Sequence, residues 1–183
     1  MNVVDILSSH NVGFISGERL GEGADGEVFD LKNGKVIKYS ILYDDYVSDL
    51  ESKFLNIKKN LLNLIDNSNQ LFCNVYEFRE IIRSSRVCQG VKQDYIIYSY
   101  VMEKMDLLYG DEQKVLFSVL NNKKMDLHVL LGGLSFGLYF DKPKVVKFYE
   151  LLQSGHGHKD IHIQNIMKDC NGNFKLIDFD RMV

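Results

Sequence analysis

Gly157-His158-Lys159-Asp160-Ile161-His162-Ile163-Gln164-Asn165, followed by Leu176-Ile177-Asp178-Phe179-Asp180, is the stretch on which the reading of this chain turns. It holds an acid, an amide five residues later, and a second acid after a hairpin signal. Asp160 is a carboxylate suited to accept a proton from a hydroxyl nucleophile. Asn165 and Asp178 offer hard oxygen ligands of the kind Mg²⁺ prefers. Between them Asn171-Gly172 is a strong turn signal, with Ile166-Met167 and Phe174-Lys175-Leu176-Ile177 as short strands on either side. Such a hairpin carries Asn165 at its start and Asp178 at its end, which brings both toward one metal.

Toward the N-terminus a second stretch bears on chemistry. Gly21-Glu22-Gly23-Ala24-Asp25-Gly26-Glu27-Val28 reads G-x-G-x-x-G-x-V. Glycines at those positions let a backbone lie close over phosphates, where a side chain would collide. The same pattern opens dinucleotide-binding units, but those pass from strand to helix. Here Phe14 to Leu20 reads as a strand before the glycines, and Val28-Phe29-Asp30-Leu31 continues as a strand after them. Asn33-Gly34 then predicts a tight turn into a third strand, Lys35-Val36-Ile37-Lys38. Lys38 follows two apolar β-branched residues and lies twelve residues beyond Gly26, which favours a phosphate-binding role over a surface lysine on an edge strand.

The remaining elements follow from periodicity and punctuation. Residues 3–9 suit a short helix. Asp45 to Ile65 is a helix with Val47, Leu50, Phe54, Ile57, Leu61 and Ile65 on one face. Glu51 falls on the edge of that face, and Asp49 points away from it. Leu71 to Phe78 and Arg79 to Val87 read as strands, and Asp94 to Met102 is the strongest strand of the chain. Helices are expected at Asp111–Asn121 and Met125–Leu131, with Gly132-Gly133 interrupting; Ser135–Phe140 is an apolar stretch with no assignment. Pro143 marks the start of a helix over Lys142–Gln153 that Ser154-Gly155 ends.

Composition sets the outer limits. The chain has 183 residues, 45% apolar, enough for the core of one domain. Its net charge of −3 gives no electrostatic case for nucleic-acid binding. Cys73, Cys88 and Cys170 are an odd, widely spaced set that suggests reduced thiols rather than a disulfide framework. No apolar run approaches the roughly 20 residues of a membrane span. Residues 1–16 lack the basic flank and apolar core of a secretory signal peptide.

The spacing H-x-D-x-x-x-x-N followed by D-F-x, after a glycine-rich hairpin and a strand bearing Val-Ile-Lys, resembles the protein-kinase-like superfamily across roughly residues 18–180. The resemblance implies an α+β, bilobal fold: a five-stranded antiparallel N-lobe sheet plus one helix at about 14–104, and a truncated, mainly helical C-lobe at about 105–183, together one minimal domain over 1–183. It implies ATP with Mg²⁺ or Mn²⁺ as cofactors. By the same resemblance Gly21, Gly23, Gly26, Val28 and Lys38 would bind the nucleotide. Met102 would be the gatekeeper of a hinge whose Glu103 and Met105 backbones meet the adenine. Lys38 would need a carboxylate on the next helix, for which Glu51 is the better placed. Asp160 would be the catalytic base, and Asn165 and Asp178 the metal ligands.

Three departures from the pattern refine the expectation. Lys159 stands where regulated kinases have an arginine that reads a phosphorylated loop. His162 stands where Ser/Thr kinases have a lysine, a feature similar to kinases of small molecules and sugars. The sequence stops at Val183, with no activation loop or later C-lobe helices. A kinase of this size resembles the minimal effector kinases of the OspG and HopBF class, which bacteria inject into host cells. That resemblance implies a Ser/Thr protein kinase, cytoplasmic or secreted into a host cell, with a protein substrate there. The apolar Lys142–Gln153 helix leads us to expect a docking partner or a second copy on the C-lobe. The alternatives are a small-molecule or sugar kinase, and a nucleotide-binding pseudokinase that serves as a protein-binding module. A zinc hydrolase built on His156, His158, Asp160 and His162 would leave the glycine stretch and Lys38 without a purpose.

Overall fold

The computed structural model describes residues 2–14, 17–23, 26–44, 49–67, 69–122, 125–154 and 161–177. The chain divides into two compact units, one of residues 1–68 and 74–104, the other of 69–73 and 105–183.

The first unit is built on a five-stranded antiparallel sheet of order β1-β2-β3-β5-β4. Its strands are β1 (Arg19–Gly23), β2 (Gly26–Asp30), β3 (Lys35–Tyr43), β4 (Val75–Cys88) and β5 (Val91–Glu103). The β2–β3 connection turns where Asn33-Gly34 predicts it: Lys32 and Gly34 take positive φ, and Asp30 Oδ1 accepts from the Lys32 amide at 2.8 Å. The β4–β5 hairpin closes on Gln89 and Gly90, both at positive φ as a two-residue turn of this hand requires. β1 begins at Arg19, later than the expected Phe14. Phe14 packs its ring edge-on to Tyr39, at 6.4 Å between centroids, instead of joining the ladder.

Strand alternation gives the sheet two faces. Val28, Lys38 and Tyr100 stand opposite one another in register across β2, β3 and β5, so their side chains share one face. Helix α2 (Leu50–Asp66) packs on that face. Asp49 caps it by accepting from the Glu51 and Ser52 amides, so the helix starts later than Asp45; residues 45–48 lie outside the described residues. Phe54, Ile57 and Leu61 are its buried stripe, and the Phe54 ring lies 5.9 Å from that of Tyr98 and 6.1 Å from that of Phe78. The opposite face carries Phe29, Ile37, Tyr39, Ile41, Tyr95 and Ile97, and helix α1 (Val3–Ser9) covers it with Val3, Ile6 and Leu7.

The second unit contains helices α3 (Gly110–Asn121), α4 (Leu127–Leu134) and α5 (Lys142–Gln153), a short 3₁₀ turn (Ile163–Asn165), and the hairpin β6 (Ile166–Lys168) and β7 (Phe174–Leu176). Residues 71–73 lie alongside β7: the Leu176 amide donates to Leu71 O and Leu176 O accepts from the Cys73 amide. Asp141 accepts from the Lys144 amide and Pro143 sits in the first turn, which fixes the start of α5. α5 buries Val145 and Phe148, the latter against Phe174, and leaves Leu151 and Leu152 half-buried. α4 runs through Gly132 and Gly133 instead of breaking there. Each glycine costs a helix about 1 kcal/mol relative to alanine. Burial of Leu131 and the Asp126 cap, which accepts from the His128 and Val129 amides, offset that cost. Phe117, Val129, Phe136 and Tyr139 are exposed in this unit, the last two at 95% and 92%. Among the described residues no helix is long and apolar enough to cross a membrane.

Candidate active site

In the first unit the glycine-rich stretch forms the β1–β2 hairpin, with Gly23 opposite Gly26 and Gly21 opposite Val28. The three glycines are not equivalent. A Cβ on Gly26 would meet Tyr39 O at 2.1 Å, so packing of β2 on β3 requires glycine there. A Cβ on Gly21 or Gly23 would meet nothing within 4 Å among the described residues. The fold itself therefore places no demand for glycine at those two positions.

Lys38 stands directly opposite Val28 on one side and Tyr100 on the other. Its Nζ lies 5.7 Å from the centroid of the Tyr100 ring. Lys38 is half-buried on this face of the sheet. Glu51, in the first turn of α2, binds Arg83 of β4: Arg83 Nη1 donates to Oε2, and Nη2 donates to Oε1 at 3.3 Å. Arg83 also donates to Glu80 and stacks 5.1 Å from the Phe54 ring centroid. Hydrogen bonds to Glu80 first and Glu51 second push the guanidinium still further into its charged form, and the same bond from Arg83 holds Glu80 below the usual carboxylate range.

At the end of β5, Met102 is buried and Glu103 is gripped by Asn74: the Glu103 amide donates to Asn74 O at 2.9 Å, and Asn74 Nδ2 donates to Glu103 Oε2 at 2.8 Å. The Lys104 amide donates to Gly34 O, and its ammonium meets Asp30 Oδ2 at 2.5 Å. That bond from Lys104, with the Lys32 amide second, lowers the pKa of Asp30.

In the second unit Asn165 is 7% exposed and ends the 3₁₀ turn. The Ile177 amide donates to Asn165 O at 2.9 Å, so the β6–β7 hairpin delivers the residue before Asp178 to the backbone of Asn165. The hairpin turn is fixed by buried Asp169, which accepts from the Asn171 and Asn173 amides at 2.9 and 2.8 Å and from Asn173 Nδ2. Burial opposes ionisation of Asp169, but the Asn173 and Asn171 donors outweigh it and hold the pKa low. Met105 begins the longer segment of this unit, and Asp106 exchanges both backbone hydrogen bonds with Lys168 of β6. His162 lies half-buried on a cavity of about 930 Å³ with Ile161 and Ile163; Phe117, Leu120 and Met125 give it an apolar wall and Asn121 and Asn122 a polar one.

The glycine hairpin, Val28 and Lys38 thus lie on neighbouring strands, and Glu51 is tied to β4. Asp160 and Asp178, like His156, His158 and Lys159, lie outside the described residues. Arg83 and Asn74 are placed by the fold and carry no sequence signal: each acts on a residue more than 25 positions away. Among the described residues no group of three His, Cys, Asp or Glu side chains is arranged to hold a metal.

No protein-family model matches the chain. No curated protein sequence matches it. Among solved structures it is similar to the "ROP18 kinase domain in complex with AMP-PNP and sucrose", with a TM-score of 0.48 and 13% identity over 90% of this chain and 51% of that one. It is also similar to the MAP kinase LmaMPK10 from Leishmania major, with a TM-score of 0.46 and 14% identity over 97% of this chain and 49% of that one. The chain spans about half the length of these structures.

Proposed function

We propose that the protein is an ATP-dependent phosphotransferase that transfers the γ-phosphate to a protein Ser or Thr hydroxyl. The observation that carries this reading is the register of β2 and β3, which sets Lys38 against Val28 directly beside a glycine hairpin. Gly21 and Gly23 support it, because the fold has no use for glycine there and close approach of phosphate does.

Phosphoryl transfer asks the protein for positioning and charge neutralisation more than for covalent chemistry. The hairpin amides would cradle the phosphates, Lys38 would hold the α- and β-phosphate oxygens, and Val28 would cover the adenine. The backbones of Glu103 and Met105 would meet its edge. Asp160 would orient the acceptor hydroxyl and take its proton. Asn165 and Asp178 are the pair suited to Mg²⁺: both offer hard oxygens, and the neighbour of Asp178 in sequence, Ile177, donates its amide to Asn165 O. When bound there, the metal would supply neutralisation of charge on the transferring phosphate.

A small-molecule acceptor is the second reading, favoured by the cavity beside His162 with its two asparagines. Incubation with γ-labelled ATP decides between the two. Label in protein Ser or Thr supports the first, label in a small polyol supports the second, and nucleotide binding without any transfer points to a pseudokinase that works as a binding module.

A further inference from the structure

Glu27 is 2% exposed, although it sits inside the glycine-rich stretch between Gly26 and Val28. A buried carboxylate is costly unless its oxygens are satisfied. Two donors satisfy this one. The Val4 amide, in the first turn of α1, donates to Oε2 at 3.1 Å, and Arg19 Nη1 of β1 donates to Oε1 at 3.2 Å. Glu22 stands opposite Glu27 in the β1–β2 register, and the same Arg19 nitrogen also donates to Glu22 Oε2 at 3.0 Å. One guanidinium thus bridges two like charges across the glycine hairpin, and one amide joins the hairpin to α1.

α1 is anchored at its other end as well. His10 Nε2 lies 2.9 Å from Tyr95 Oη on β5, while Val3, Ile6 and Leu7 are buried on the sheet. The helix therefore reaches from β2 to β5 across the face opposite Lys38. Strand alternation makes Glu27 and Val28 point to opposite faces, so a shift of β2 that follows Glu27 moves Val28 as well.

We propose that Glu27 is a positioning residue that couples the docking of α1 to the glycine hairpin, so that α1 tunes the affinity of the hairpin for a nucleoside triphosphate. The nucleotide part rests on the function proposed above; the mechanical coupling does not. Whatever loosens α1 loosens the hairpin, and a nucleotide that orders the hairpin tightens α1 by the same factor.

The test measures two things on the full chain: affinity for Mg²⁺·AMP-PNP by calorimetry, and amide hydrogen exchange in α1 and in β1–β2. Glu27→Ala and Ile6→Ala are expected to weaken AMP-PNP binding about 5- to 10-fold. Both should speed exchange at the hairpin amides. Glu27→Gln, which keeps an acceptor for the Val4 amide but sets its NH2 against Arg19, should recover part of the loss. Leu61→Ala, a cavity in α2, lowers global stability and should leave the affinity of the folded protein unchanged. Faster exchange in α1 with wild-type hairpin exchange in Glu27→Ala overturns the coupling. If wild type binds no AMP-PNP, the nucleotide reading fails, and hairpin exchange alone decides the coupling. Should the alanine variants not fold, Ile6→Val is measured in their place, and unchanged hairpin exchange beside loosened α1 sinks the proposal there too.

Discussion

Both carboxylate oxygens of Glu51 accept from the guanidinium of Arg83, which ties the first turn of α2 to β4. Arg83 and Glu51 are each nearly half exposed, so solvent screens the pair and it contributes little to stability. Its weight lies in where it holds Glu51. A lysine–glutamate pair between β3 and the following helix is needed for transfer in kinases. Under the proposed function Arg83 therefore competes with Lys38. Arg83→Met should raise the phosphotransfer rate several-fold with little change in thermal unfolding, and Glu51→Gln should lower it. A slower Arg83→Met enzyme would mean that Glu51 acts through Arg83 instead.

Lys38→Ala, Asp160→Ala and Asp178→Ala should each lower transfer by two or more orders of magnitude, roughly the size of a lost positioning or proton-accepting group. Circular dichroism and thermal unfolding should stay close to wild type. A variant that keeps a near-wild-type rate removes that residue from its assigned role.

Transfer should require Mg²⁺ or Mn²⁺ and stop on addition of EDTA. Asn165→Ala should raise the metal concentration needed for half-maximal rate. Its backbone carbonyl, which accepts from Ile177, is untouched, so the hairpin should survive. Metal-independent transfer would contradict the assignment of Asn165 and Asp178.

Asp169 provides a stability test separate from activity. Its folded-state pKa lies below the ordinary 3.8, so its contribution is complete above pH 3.8 and is lost as pH falls through the lower folded value. Asp169→Asn should cost about 1–3 kcal/mol near neutral pH, since the two backbone amides lose a charged acceptor and the new NH2 faces the Asn173 side-chain donor. The gap between wild type and variant, read from urea unfolding, should narrow below pH 3.8. A gap independent of pH would assign the loss to packing.

Local chemistry was legible in the sequence; distant partnership was not. Asn33-Gly34 announces the β2–β3 turn because Gly34 takes positive φ at no steric cost, and Pro143 announces α5 because its missing N–H and fixed φ suit a first turn. Lys38 on a strand beside the glycine hairpin follows from the same local punctuation. The role of α1 does not, because a seven-residue helix has almost no stability of its own and is set by Val3, Ile6 and Leu7 meeting a sheet face assembled from later strands. Periodicity placed Glu51 on the edge of the α2 stripe and was silent on Arg83, thirty-two residues on, which the β4–β5 register carries to it. Gly132-Gly133 looked like a break because propensity counts the glycines and omits the burial of Leu131.

β4 is fourteen residues long, with one flank hydrogen-bonded to β5 and, among the described residues, no strand on the other. Strands of that length at the rim of a sheet invite pairing with other molecules. Arg79, Glu80, Arg83 and Arg86 line this one with charge, and Val87, exposed near the hairpin tip, is the weak point. The ionic network around Arg83 therefore also guards colloidal solubility. Neutralising Arg83 to free Glu51 would strip part of that protection, so such a variant should be handled dilute, and light scattering should show it self-associating at lower concentration than the parent.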